Sequence, residues 1–365
     1  VFSVYFIFNI INVVTIMKIL NGKCRSKARL DGKTAVVTGC NTGIGKETVL
    51  DFVKRGARVV MACRDLKKAE EAAEDIRKQT SGLEGIGEIV VTRLDLGSLA
   101  SVRECAKHLL RTEPKINLLI NNAGVMGCPE GRTEDGFETH LGINHLGHFL
   151  LTCLLLPRIL RSAPARIVAV SSIAHRTGDM DFDDLNWEKS FNTTKSYGRS
   201  KLANILFAKE LARRLEGTEV TTYALHPGVV STELARNFDK GYFRGATWIW
   251  NTVISLFIKS PQQGAQTTIY CAVEESLSKE SGLYYSRSGD KVPTAIARDG
   301  EVAKRLWTES AKMVGLGDWD PFTAPDEEVN KNGMRTLTGL RMIFLASNRY
   351  PSSMEASDIE PSRLG

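Results

Sequence analysis

From residue 33 onward, apolar and polar positions follow two alternating periods. Short β-branched runs are each succeeded by a stretch in which apolar residues recur every three or four positions. The first runs are Lys33–Thr38, Arg58–Cys63, Glu88–Leu94 and Lys115–Ile120, and the helical spacing between them predicts helices ending near Arg55, over Leu66–Lys78 and over Ser98–Arg111. Four such alternations predict a parallel, doubly wound α/β sheet flanked by helices, with ligands at the C-terminal ends of the strands. The pattern continues with a helix over Ser196–Leu211, a strand over Val220–Leu225, a helix over Gln262–Ala272, a short strand at Leu283–Tyr285 and a last helix over Glu301–Val314.

Both ends of the chain break this pattern. Val1–Met17 is almost unbroken apolar, and Lys18, Lys23, Arg25, Lys27 and Arg29 follow it. A helix rises about 1.5 Å per residue, so this run spans about 26 Å, close to the hydrocarbon thickness of a bilayer. Charge after the apolar run, rather than before it, predicts an uncleaved anchor, with the following domain on the cytosolic side. The expected organisation is a membrane anchor with its basic flank over 1–29, a single domain over 30–316, and a tail over 317–365. The acidic, Pro- and Ser-containing pieces of that tail read as disordered, and only Leu337–Ala346 has helical spacing.

Composition narrows the function. Five basic residues beside the apolar run account for most of the net charge of +6, which leaves no basic domain face for nucleic acid. The seven cysteines are odd in number and contain no C-x-x-C pair, so they read as free thiols of a reducing compartment. The sequon Asn192-Thr193-Thr194 matters only in a lumen and is expected to be unused.

Two stretches carry candidate chemistry. After the first strand comes Gly39-Cys40-Asn41-Thr42-Gly43-Ile44-Gly45 and then a helix. Glycines there let the backbone approach a pyrophosphate, and the helix N-terminus faces its charge, as in a Rossmann-type dinucleotide site. The second strand ends in Arg64, which suits the extra phosphate of NADP, where an acidic residue would suit the ribose hydroxyl of NAD. The other stretch is the helix carrying Tyr197 and Lys201, four residues apart and therefore on one face. A free phenol has a pKa of about 10, and adjacent positive charge in a dry site brings it toward neutrality. Taken alone, such a pair is more often a solvated or cation–π contact.

Together with Asn121-Asn122-Ala123-Gly124, these motifs resemble the short-chain dehydrogenase/reductase superfamily, from Lys33 to Leu316. The resemblance implies Tyr197 as general acid/base, Lys201 as its activator, Ser172 as the hydroxyl holding the substrate oxygen, and Asn144 as the residue that kinks its helix and positions a water. Ser171 is the rival for the serine role. The resemblance also implies cofactor contacts from Gly39, Asn41, Thr42, Gly43, Ile44 and Gly45, from Arg64, from Asp95 and Leu96, and from Asn122, Ala123 and Gly124. Tyr197 and Lys201 would bear on the nicotinamide side, with Pro227, Gly228 and Val229, and Thr232 would lie near the phosphates. Thr42 stands where some NADP-dependent relatives place a second basic residue, so Arg64 would discriminate largely alone.

Ala62-Cys63-Arg64-Asp65, Val170-Ser171-Ser172-Ile173-Ala174-His175 and His226-Pro227-Gly228-Val229-Val230 are similar to the membrane-anchored retinol dehydrogenases that act as NADP-dependent retinal reductases. So is the long interval from Ser172 to Tyr197, whose added loop, with Asp181, Asp183, Asp184, Leu185 and Trp187, is expected to border the substrate entrance. The implied function is NADP(H)-dependent interconversion of retinal and retinol, or of similar apolar carbonyls and alcohols, at the endoplasmic reticulum membrane. A homo-oligomer is left open.

The apolar stretch Gly241–Ser260 suits either a lipid-like substrate and the bilayer or an ordinary buried helix. Alternatives at the level of function are a steroid or fatty-carbonyl reductase, or a non-catalytic NADP(H)-binding membrane scaffold. His140, His145 and His148 lack a suitably spaced acidic or cysteine partner, so no metal is expected. Ser172 with His175 lacks the G-x-S-x-G elbow of a hydrolase.

Overall fold

A computed structural model describes residues 22–230, 259–286, 289 and 291–326. Seven strands form one parallel sheet: β1 (Thr34–Thr38), β2 (Arg58–Cys63), β3 (Ile89–Arg93), β4 (Leu118–Asn121), β5 (Ala165–Val170), β6 (Val220–His226) and β7 (Leu283–Ser286). Their order across the sheet is β3-β2-β1-β4-β5-β6-β7, so the chain reverses direction across the sheet between β1 and β4. That switch opens a crevice at the C-terminal strand ends, where a doubly wound sheet takes its ligand.

Helices cover both faces because every central strand is apolar on both sides. One face carries α1 (Gly43–Lys54), α2 (Leu66–Thr80) and α6 (Pro261–Val273), with Phe52, Ile76 and Ile269 in its core. The other carries α3 (Leu99–Thr112), α4 (Thr139–Arg161), α5 (Thr193–Arg214) and α8 (Gly300–Met313), the last preceded by the short α7 (Ala295–Arg298). Asp65, Ser98 and Asn192 each accept from a backbone N–H of the turn they open, which explains where α2, α3 and α5 begin. Ser260 and Gln263 form a reciprocal capping box on α6.

Helix α4 is long and apolar enough to cross a membrane, but 89% of its apolar window is buried inside the protein, so it is a core helix. Phe149 on α4, Phe207 on α5 and Trp307 on α8 pack at 4.9–5.9 Å between ring centroids and hold the three helices together.

Two flanking segments are attached to this domain. In the arm 22–30, Lys23, Arg25, Lys27 and Arg29 face solvent while Cys24 and Leu30 are buried, the period of an extended chain lying on a surface. The Cys24 N–H donates to Gln266 on α6, and Arg55 donates to the Ala28 carbonyl. At the other end the described chain runs past Leu316, where composition predicts a disordered tail. Trp319 and Phe322 pack on the core, and the buried Asp326 carboxylate accepts from Arg158 and pairs with Arg161. The expected anchor over 1–17, most of Gly241–Ser260, and Leu337–Ala346 lie outside the described residues.

Candidate active site

The turn after β1 is shaped by close approach. Gly39 and Gly43 have φ of +59° and +57°, in the left-handed region. A side chain on Gly39 would meet Ala123 at 2.6 Å, and one on Gly45 would meet Asn122 Nδ2 at 2.6 Å, so the first glycine and the last admit the loop that follows β4. Asn41 and Ile44 lie between them. Thr42 occupies the N-cap position of α1 without capping it through its side chain, and the first turn contains no acidic residue. The leading N–H groups and dipole of α1 therefore face the crevice without an internal counter-charge, which suits a pyrophosphate.

Arg64, at the end of β2, is exposed. Its acidic neighbour Asp65 is engaged at the start of α2, where it accepts from the Lys68 N–H at 3.1 Å. After β3, Asp95 Oδ1 accepts from the Gly97 N–H, and the buried Leu96 lies against Gly147 on α4. Asn122 donates from Nδ2 to the Thr38 and Gly39 carbonyls at 2.9 and 3.2 Å. Asn122 and Ala123 both donate their backbone N–H to Thr38 Oγ1. A side chain on Gly124 would crowd Lys201 Nζ at 3.2 Å and Asn144 Oδ1 at 3.3 Å.

Asn144 sits in a π turn, Gly142–Leu146, within α4. Its amide is fully engaged: Oδ1 accepts from the Val125 N–H at 2.8 Å, and Nδ2 donates to the Val125 carbonyl and to Ser200 Oγ. One turn on, His148 bridges two elements. Burial holds its pKa down to about 4, so the ring is neutral. Its Nδ1–H donates to the Asn144 carbonyl, and its Nε2 accepts the Thr38 hydroxyl proton at 2.8 Å. Thr38 can then accept from Asn122 and Ala123, giving a continuous path from the glycine turn to the Asn144 turn.

Helix α5 brings Tyr197 and Lys201 to this crevice. Lys201 Nζ is 5.8 Å from the Tyr197 ring centroid and donates to the Val170 carbonyl at the end of β5. Both side chains are buried, and desolvation lowers Lys201 to about 8. His140, whose Nδ1 donates to Glu138, packs edge-on against the Tyr197 ring. The two serines after β5 differ. Ser171 is buried and donates its hydroxyl to the Lys201 carbonyl at 2.6 Å. Ser172 is partly exposed, its oxygen accepts from the Ala174 N–H, and it opens the short 3-10 turn Ile173–Thr177.

After β6, Gly228 has φ of +98°, and the Val229 carbonyl accepts from the Lys259 N–H. His226, which the sequence presents only as the first residue of a motif and gives no role, accepts at Nδ1 from the Ile173 and Gly228 N–H groups and so joins the Pro227 turn to the Ser172 turn. Thr232 lies outside the described residues. The loop with Asp181, Asp183, Asp184, Leu185 and Trp187 is fastened to α5, since Arg199 donates to the Asp184 and Leu185 carbonyls and lies 4.1 Å from the Trp187 ring centroid.

Thus the β1, β4, β5 and β6 loops, with α4 and α5, converge on one crevice. The sequence profile of the short chain dehydrogenase family matches residues 33–242. Retinol dehydrogenase 13 of Homo sapiens is 50% identical over 302 residues, covering 82% of this chain and 89% of that protein. Retinol dehydrogenase 11 of Homo sapiens is likewise 50% identical over 296 residues, covering 81% and 90%. Among solved structures, an uncharacterized protein from Mycobacterium Paratuberculosis superposes with a TM-score of 0.62 at 34% identity, covering 79% of this chain and 95% of that one. With the glycine turn facing the switch-point crevice and a lysine beside a tyrosine across it, the chain belongs to the short-chain dehydrogenase/reductase family and is an oxidoreductase that takes a nicotinamide dinucleotide.

Proposed function

We propose that the protein is an NADP(H)-dependent reductase of retinal, or of similar apolar aldehydes and ketones, and catalyses the reverse oxidation of the alcohol. The bound nicotinamide supplies or accepts a hydride at the carbonyl carbon. In reduction, the Tyr197 hydroxyl gives its proton to the developing alkoxide. The buried Lys201 ammonium favours the phenolate left behind. Ser172 donates a hydrogen bond to the same oxygen and fixes its direction. Asn144 holds Val125 and Ser200 in place beside Lys201 and, through the π turn, the path by which Lys201 is reprotonated. The glycine turn and the N-terminus of α1 hold the pyrophosphate, with Asn41, Thr42 and Ile44 lining it. Asp95 and Leu96 border the adenine, Asn122 to Gly124 the ribose, and Pro227 to Val229 the nicotinamide.

The observation that carries the NADP preference is the pairing of an exposed Arg64 with an Asp65 already committed to its helix. A carboxylate spent on a backbone N–H is poorly placed to take a ribose hydroxyl, whereas the guanidinium is available to a 2′-phosphate. Retinal as substrate is supported by the relatives named retinol dehydrogenases. A steroid or fatty carbonyl is the second reading, and a non-catalytic cofactor-binding scaffold the third. The N-terminal arm, followed inward from the apolar Val1–Met17, supports an anchored enzyme whose domain faces the cytosol at the endoplasmic reticulum.

A panel of retinal, steroid and fatty carbonyls, each run with NADPH and with NADH, tests the whole reading. Retinal with NADPH is expected to give the highest kcat/KM, and Arg64→Ala to raise KM for NADPH about tenfold while sparing NADH. Preference for NADH would remove the role of Arg64. Cofactor binding without turnover of any carbonyl would leave the scaffold.

A further inference from the structure

The reaction leaves Cys40 and Cys63 without a part, yet the fold sets their sulfurs 3.8 Å apart. Cys40 lies inside the glycine turn, and Cys63 is the last residue of β2, immediately before Arg64. The neighbouring strands are in parallel register, Thr38 opposite Ala62, and the Gly39 N–H donates to the Ala62 carbonyl at 2.9 Å. Both thiols are buried, at 0% and 2% exposure, but Gly39, Asn41, Thr42 and Gly43 around Cys40 are partly open to the crevice. The sulfurs themselves are packed in the core beneath the turn, so a small oxidant reaches them from the cofactor side when the turn opens locally.

The two sulfurs are also unequal. The hydrogen-bonding contact with Cys40, whose S–H also reaches the Val37 carbonyl at 3.1 Å, holds the Cys63 thiol below its ordinary value against the opposing effect of burial, with help from the Cys40 and Asn41 backbone, while burial pushes Cys40 up. Burial likewise raises Cys105, Cys153 and Cys271, which are poor nucleophiles.

We propose that Cys40 and Cys63 form a modification site, a dithiol that a hydroperoxide converts to a disulfide, and that this cross-link weakens cofactor binding at the adjoining glycine turn and Arg64. The Cys63 thiolate attacks the terminal oxygen of the peroxide. An S–O bond forms, the O–O bond breaks, and the departing alkoxide, or hydroxide from hydrogen peroxide, takes up a proton. Cys40 then attacks the sulfenic sulfur. The S–S bond forms, the S–O bond breaks, and the hydroxyl leaves as water with the Cys40 proton. Two thiols lose two electrons, and the peroxide is reduced to alcohol and water. Joining the sulfurs requires them to close from 3.8 Å to about 2.0 Å. Whatever part of that movement side-chain rotation does not supply falls on the turn and the strand end, and both belong to the cofactor cradle.

The consequence for binding rests on the NADP(H) reading above, and the experiment separates the two. Full-length protein, reduced and freed of reductant, is exposed to hydrogen peroxide, digested without reduction and analysed by mass spectrometry. NADPH and NADH affinities are measured by fluorescence before and after. The expected result is a cross-linked peptide pair containing Cys40 and Cys63, with a Kd for NADPH raised about tenfold and restored by dithiothreitol. Cys40→Ala and Cys63→Ala are expected to show the same Kd before and after peroxide. Failure of the untreated protein to bind either nucleotide would sink the cofactor reading, and the peptide analysis would still decide whether the dithiol closes. Over-oxidation of Cys63 without a cross-link, or a cross-link that leaves Kd unchanged, overturns the proposal.

Discussion

Ser171 and Ser172 show how much one position changes. Adjacent hydroxyls leave β5 on opposite sides, one donating into the core to the Lys201 carbonyl and the other opening a turn at the crevice. Ser172→Ala is therefore expected to lower kcat for carbonyl reduction by about a hundredfold or more with little change in melting temperature. Ser171→Ala should cost about 1 kcal/mol of stability and leave most of the turnover per folded molecule, as thermal unfolding and active-site titration would show. Tyr197→Phe should retain cofactor binding and lose turnover by about 10² to 10⁴, and full turnover by this variant would refute the proton donor. Lys201 predicts the pH limb. Its folded value of about 8 lies below the usual lysine value, so the ammonium is lost as pH rises through 8, and kcat/KM for reduction should fall there. A profile flat to pH 10 would contradict this. The sign for stability is opposite: between about pH 8 and about 10.4 the unfolded chain holds the extra proton, so this group's penalty on the fold shrinks as pH rises through that window.

At the scale of elements, α4 and β1 act together through His148. The sequence presents this histidine beside His140 and His145, and helical spacing alone puts His145 and His148 on one face. The fold gives each a different partner: Glu138 for His140, Ser310 for His145 and Thr38 for His148. Thr38→Val and His148→Leu remove opposite ends of one hydrogen bond, so each should raise the Kd for cofactor, and the double variant should cost less than the sum of the two. Thr38→Ser keeps the hydroxyl and should bind cofactor normally. Strictly additive effects would show that the two residues act separately. The strand and helix pattern is legible because the buried strands are continuous β-branched runs and the helices have strong periodicity. The six-residue strand Arg58–Cys63 can be read to its observed ends. The π turn at Asn144 is not legible as such, because the partners of the Asn144 side-chain amide, Val125 and Ser200, come from elsewhere, one from the loop after β4 and the other from α5. The bridging role of His226 is hidden for the same reason: its two partners come from different loops.

For the molecule as a whole, the unexpected part is the segment after α8. Its composition reads as a tail, yet Asp326 is buried against Arg158, whose guanidinium also donates to the Glu113 and Leu110 carbonyls. Polar residues that cap a buried arginine look the same in a sequence as polar residues in solvent, so this attachment is not legible there. Asp326→Asn should destabilise the domain by about 3 kcal/mol, measured by denaturant unfolding, because it leaves a buried guanidinium short of its counter-charge. A loss below about 0.5 kcal/mol would mean that Arg161 and the carbonyls suffice.

The arm 22–30 has a consequence for transport. It is sewn to α6 from Cys24 onward, so if Val1–Met17 is embedded in lipid, only Lys18 to Lys23 remain as slack, at most about 22 Å of stretched chain. On the proposed reading, a leash that short would keep the crevice within about one protein diameter of the lipid, so that an apolar carbonyl compound and its alcohol would be exchanged with the membrane without a free journey through water.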